Sequence, residues 1–148
     1  MSAKEGRCQV NTKLLGLLKK HEGLRLKPYH CSAGKLTIGI GRNLEAVGIS
    51  EAEANLMLAN DITRIEKEAV DNLPYFNSLS VTRQDVVLSM IFNLGLAGFL
   101  KFKNLNTALT YGNFKLAAQE MIKSSWYRQV GARADELAFM MEYDIYRS

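Results

Sequence analysis

Residues 24–41, LRLKPYHCSAGKLTIGIG, are patterned differently from everything around them. Leu24, Leu26, Tyr29, Leu36, Ile38 and Ile40 follow a period of two, interrupted by Pro28 and by Ser32-Ala33-Gly34. That alternation predicts a β-hairpin followed by a glycine-rich turn. Upstream, Leu14, Leu15 and Leu18 share one helical face, with Asn11 or Thr12 as a cap and Gly23 as a stop, so a helix is expected over 12–22. Downstream, Ser50 and Glu53 have the spacing of a capping box, which opens a long amphipathic helix over 51–72 that Pro74 closes. Ser80, or Thr82 with Asp85, would cap the stretch leading into VVLSMIFNLG (86–95), which is apolar nearly all round and belongs at the centre of a core. Further helices are expected near 96–100, 104–111, 114–124 and 133–143, with Trp126 and Tyr127 in a loop before the last.

The expected fold is therefore α+β and mostly α. A small β-hairpin lobe, about 23–50, is joined by the helix over 51–72 to a helical lobe of about 75–148, with the first helix counted in the helical lobe. The two lobes together are read as a single domain of 148 residues.

Composition narrows the class. With 47% hydrophobic and 23% charged residues the chain can build a core, which excludes global disorder. No apolar run reaches the roughly 18 to 20 residues of a membrane helix. The opening MSAKEGRCQV lacks the apolar stretch of a signal peptide, so synthesis and folding in a cytosol, without stable membrane insertion, are expected. Two cysteines are too few for a disulfide scaffold. The net charge of +4 is uneven: +6 over 1–35, −4 over 36–79 and +2 over 80–148. A basic N-terminal third suits an anionic partner or is simply a solvated surface. Without a nucleic-acid motif or interleaved aromatics, no nucleic acid is expected as the partner.

Several residues have the chemistry of a site. Glu22 ends the first predicted helix four residues after Leu18, so it should leave the apolar stripe partly buried. Burial and the negative end of the helix dipole would both raise its pKa, as a general acid requires; the plain alternative is a solvated helix end. Cys31 and Thr37 follow nine and fifteen residues later, placing a thiol and a hydroxyl on the hairpin, unless they are ordinary strand and core residues. Cys8, His21, His30 and Cys31 include zinc-ligand types, but their spacing matches no common zinc pattern. Gly39 and Gly41 lack the third glycine of a dinucleotide fingerprint, so neither metal nor cofactor is expected. Arg133 suits pairing with a carboxylate, Trp126 suits the core, and Phe92 is open to either reading.

The segment Glu22-Gly-Leu-Arg-Leu-Lys, then Tyr29, then Thr37-Ile-Gly-Ile-Gly41, closely resembles the active-site region of the phage-type lysozymes of glycoside hydrolase family 24. Met90–Gly95, Ser125–Gln129 and Arg133 extend the resemblance over about 12–143. It implies a lysozyme-like fold and an endolysin, a muramidase that cleaves the β-1,4 bond between N-acetylmuramic acid and N-acetylglucosamine in peptidoglycan. Glu22 matches the family's general acid, Thr37 the threonine that helps to hold the attacking water, and Arg133 the arginine that pairs with the catalytic glutamate. Asn43, Phe92, Leu105 and Glu120 fall at positions of substrate contact, the last two departing from the usual residue types.

Cys31 occupies a position that is aspartate in most relatives and cysteine in a minority. An ordinary thiol is only about a few per cent ionised at neutral pH, so either the site lowers its pKa or the position needs no full charge. Three roles stay open for it: a thiolate that stabilises an oxocarbenium-like transition state, a neutral acceptor that orients water with Thr37, or a nucleophile. The first two fit the inverting course that the resemblance implies. A lytic transglycosylase relying on Glu22 alone and an inactive wall-binding homologue are the alternatives. The resemblance and the missing export signal together imply a monomer made in the host bacterial cytoplasm that reaches the periplasmic wall through a holin. Cys8 and Cys31 are expected either as independent thiols or as a pair that blocks the site when oxidised.

Overall fold

The computed structural model describes residues 11–147, which divide into two compact units, 11–54 and 55–147. In the first unit, α1 (Thr12–Glu22) starts where the Asn11 side chain accepts the N–H groups of Lys13 and Leu14, both at 3.1 Å. It ends at Gly23, whose φ of 73° takes the chain out of the helix. The expected apolar stripe is not buried, since Leu14, Leu15 and Leu18 remain 40 to 47% exposed. α1 falls in the first unit with the strands, whereas the sequence reading groups it with the helical lobe.

The predicted hairpin forms from β1 (Arg25–His30) and β2 (Leu36–Gly39), and a short β3 (Arg42–Asn43), absent from the sequence reading, completes an antiparallel sheet of order β1-β2-β3. Tyr29 pairs with Thr37 and Thr37 with Asn43, so these three residues form one row across the sheet. The register slips between Arg25 and Tyr29, the interval that contains Pro28, which has no N–H to give the ladder.

α2 (Glu51–Asn72) opens in the first unit and continues into the second. Ser50 caps it as predicted, its hydroxyl accepting the Glu53 N–H and donating to the Glu53 carboxylate, each at 3.1 Å. Arg42 donates to Glu53 at 2.7 Å and to the Gly48 carbonyl at 3.1 Å, tying β3 to the start of α2.

The second unit continues through α3 (Val81–Leu100), α4 (Lys103–Thr110), α5 (Phe114–Lys123), α6 (Ser125–Val130) and α7 (Ala132–Tyr143). Ser80, not Thr82, caps α3 by accepting the Arg83 N–H. Val86, Val87, Met90 and Ile91 are buried, as the apolar run requires. Gly95, with φ 74° and ψ 161°, kinks the helix, so the element expected near 96–100 is its continuation. α4 then departs from α3 at 100°. The expected loop at Trp126 and Tyr127 is instead α6, begun by the Ser124 hydroxyl accepting the Tyr127 N–H and stopped by Gly131. Six residues are too few for a helical period to show in sequence.

Trp126 is a core residue, donating to the Asn93 side chain at 2.8 Å and meeting Phe102 edge-on. Tyr75 donates to Asn106 at 2.6 Å, and Asn106 donates in turn to the carbonyls of Phe99 and Phe102. Burial pushes the Tyr75 hydroxyl well above the usual tyrosine range. Arg83 lies over the Phe114 ring at 3.6 Å and donates to the carbonyls of Met141 and Glu142, fastening the start of α3 to the end of α7. Among the described residues no single helix is long and apolar enough to cross a membrane.

Candidate functional site

The first unit holds the acid, the thiol and the threonine. Glu22 closes α1 beside Gly23, but it is exposed, so the partial burial expected of it is absent. Its carboxylate lies against Gly41, at the turn between β2 and β3.

Cys31 follows β1 at the corner of a tight turn in which Gly34 N–H donates to the Cys31 carbonyl at 2.8 Å and Cys31 N–H donates to the Lys35 carbonyl at 3.0 Å. Gly34 makes the turn possible with a φ of 76°. The backbone N–H groups of the same turn act on the thiol. Those of Lys35 and Ala33 lower the thiol pKa most, desolvation pushes it up, and the Thr37 hydroxyl and the Cys31 N–H lower it by less. The site thus lowers the thiol pKa, one of the two ways in which cysteine could stand in for aspartate.

Thr37 is the one buried residue among those described in the first unit. Its hydroxyl donates to the Lys35 carbonyl at 2.8 Å. A single hydroxyl proton serves one acceptor at a time, so giving it to the Cys31 thiolate releases the Lys35 carbonyl. Asn43, across the sheet from Thr37, spends its side-chain oxygen on the N–H groups of Glu45 and Ala46, an Asx turn that shapes the loop after β3.

The other predicted residues lie in the second unit, in two places. Phe92, 48% exposed, and Arg133 line a cavity of about 350 Å³ with Leu58, Ile62, Asp85 and Ser89, and Arg133 donates to Ser89 at 3.3 Å. Leu105 and Glu120 line a second cavity, of about 380 Å³, where Lys101, Lys103 and Lys123 join them. Leu105 is buried and forms part of its floor, while Glu120 pairs with Lys123 at 3.5 Å. Sequence reasoning missed these lysines, which no motif marks, and it missed the N–H groups around Cys31, which only the turn brings together. Cys8 lies outside the described residues, and with it the question of its pairing with Cys31. Among the described residues no cluster of His, Cys, Asp or Glu is arranged to hold a metal ion.

A sequence profile of the family described as phage lysozyme matches residues 19–138, a span that contains every candidate residue above except Cys8. The chain belongs to the phage lysozyme family. It is 33% identical over 128 residues to an endolysin of Acyrthosiphon pisum secondary endosymbiont phage 1, covering 84% of this chain and 85% of that protein. The endolysin of Salmonella phage P22 is 30% identical over 121 residues, covering 77% and 82% of the two chains. A further relative, the pre-baseplate central spike protein of Enterobacteria phage T4, is 25% identical over 88% of this chain but only 28% of its own length. The family's module therefore also occurs inside longer proteins. Membership places the chain among lysozyme-type glycosidases, with the small N-terminal sheet and helical C-terminal part that such a fold requires.

Proposed function

We propose that this lysozyme is an endolysin that hydrolyses the β-1,4 bond between N-acetylmuramic acid and N-acetylglucosamine in peptidoglycan, with Glu22 as general acid and Cys31 and Thr37 as its partners. The observation that carries the reading is the turn that stabilises a Cys31 thiolate next to Thr37, in the same unit as Glu22. Endolysin relatives matched over most of their length supply the substrate class.

Glu22 gives its proton to the glycosidic oxygen as the bond from that oxygen to the muramic acid C1 breaks. Positive charge then grows on C1 and the ring oxygen, and the Cys31 thiolate stabilises it. Water adds to C1 and loses a proton to the thiolate, with Thr37 orienting the water by accepting one of its hydrogens. This course inverts the anomeric centre. It also differs from a lytic transglycosylase in its products. Digestion of purified sacculi in ¹⁸O-labelled water should yield reducing ends carrying the label; 1,6-anhydro ends without label would establish the transglycosylase instead.

A thiolate role has a pH signature. The parent's activity should rise along a limb lying below the ordinary thiol value of about 8.5, because the turn depresses the pKa. Cys31→Asp should move that limb into the carboxylate range, and Cys31→Ser should remove it. An unchanged limb in Cys31→Ser would take the thiolate out of the mechanism.

The same reading makes the protein a monomer that waits in the host cytoplasm and needs a holin to reach the periplasmic wall. Expressed alone, it should leave cells intact until chloroform opens the inner membrane. Lysis without chloroform would show another route.

A further inference from the structure

Three glycines at or beside the hairpin strands have positive φ: Gly23 at 73°, Gly39 at 70° and Gly41 at 71°. Backbone conformation favours glycine at all three. Space separates them. Outside its two chain neighbours, a Cβ at Gly23 or at Gly39 would meet nothing within 4 Å, whereas at Gly41 it would fall 3.0 Å from Glu22 Oε2, 3.1 Å from Cδ and 3.2 Å from Cγ. The last three atoms on that side of the glutamate are thus laid flat against bare backbone. Nineteen positions separate the two residues in sequence, and the return of the chain through β1 and β2 brings them together.

We propose that Gly41 is a positioning residue for the acid: its missing side chain is the seat on which the Glu22 carboxylate rests. The proposal rests on the reading of Glu22 as the general acid. Its physical content is an asymmetry of cost. A methyl group at position 41 meets the end of a flexible side chain rather than backbone, so the fold can yield by swinging Glu22 aside. The carboxylate then leaves the place where it can protonate the leaving oxygen, and a displacement of about 1 Å can cost on the order of 100-fold in rate.

Gly39 supplies the control, because alanine there carries the same backbone strain without touching Glu22. The test measures release of reducing ends from sacculi by the parent, Gly39→Ala, Gly41→Ala and Glu22→Gln, with circular dichroism to confirm folding. Gly41→Ala should lose about 30-fold or more in kcat with KM within about twofold, and the limb of its pH profile that reports the acid should shift. Gly39→Ala should stay within about threefold of the parent in kcat and keep the parent's profile. Equal losses in the two alanine variants, or a loss in Gly41→Ala with an unshifted profile, would overturn the seat. If Gly41→Ala does not fold, D-alanine placed at position 41 by ligation of synthetic segments suits the positive φ and points its methyl away from Glu22. Near-parent activity and profile then support the seat, and a loss of about 30-fold or more overturns it. Activity retained by Glu22→Gln would instead sink the assignment of the acid itself, whichever way the glycine variants behave.

Discussion

The two units bury different things. Every buried apolar side chain among the described residues lies between Ile65 and Met141, in the second unit, while the buried residue of the first unit is a threonine. The first unit is held by caps, turns and the β ladder: Asn11 on α1, the Cys31–Gly34 turn, the Asx turn at Asn43 and the Arg42–Glu53 pair. Stability is thus concentrated where there is a core to lose, and the groups proposed for chemistry sit where polar atoms can be aimed. Backbone N–H groups and a bare glycine can point at a thiolate or seat a carboxylate in a way that a packed apolar layer cannot.

That contrast can be broken by substitutions that should hurt one unit and spare the other. The largest effect on folding is expected for Phe99→Ala, which empties a fully buried site and should cost about 3 to 5 kcal/mol in urea unfolding. Leu26→Ala, at a site 80% exposed in β1, should stay within about 0.5 kcal/mol of the parent. Similar costs at the two positions would show that the first unit has an apolar core of its own. Next comes Tyr75→Phe, which removes the donor to Asn106 and should cost about 1 to 2 kcal/mol by the same assay. A cost near zero would mean that the Asn106 oxygen finds another donor.

The smallest effect is a pH dependence in the first unit. Hydrogen bonding from Arg42, aided by Ser50, holds the Glu53 carboxyl below its usual range, so the pair's stabilisation is full above the unfolded carboxylate pKa and disappears as pH falls through the lower folded value. Arg42→Ala should remove this acid-side dependence and leave a smaller stability change than Tyr75→Phe, because both side chains of the pair are more than a third exposed. Thermal melts of the parent and variant across the acid range would show the two curves converging at low pH. Parallel curves would deny the pair any role.

Legibility in the sequence follows the same division. α1 and α2 could be read to the residue because Asn11, Gly23 and Ser50 have local, short-range jobs. α6 could not, since its six residues carry less than two turns of periodicity and its start depends on a single serine. Burial on α3 followed from an apolar run, whereas the apolar stripe of α1 gave the wrong expectation for Leu14 and Leu18, which are exposed. In the candidate site, Glu22 could be singled out by its place at the end of α1, whereas Cys31 and Thr37 had no role from residue type and spacing until the resemblance to the phage-type lysozymes supplied one. The turn that favours the thiolate and the seat under Glu22 could not be read there, because one needs the direction of backbone N–H groups and the other a contact across nineteen residues.

On the proposed reading, chemistry and stability are separable in this fold, with Glu22 supplying the first and little of the second. One paired measurement tests it: reducing ends released from purified sacculi by Glu22→Gln and by the parent, together with the Tm of each. Turnover should fall by on the order of 100-fold or more, with the two Tm values within about 2 °C. Parent-level release by Glu22→Gln, or a large fall in its Tm accompanying the lost turnover, would contradict that reading.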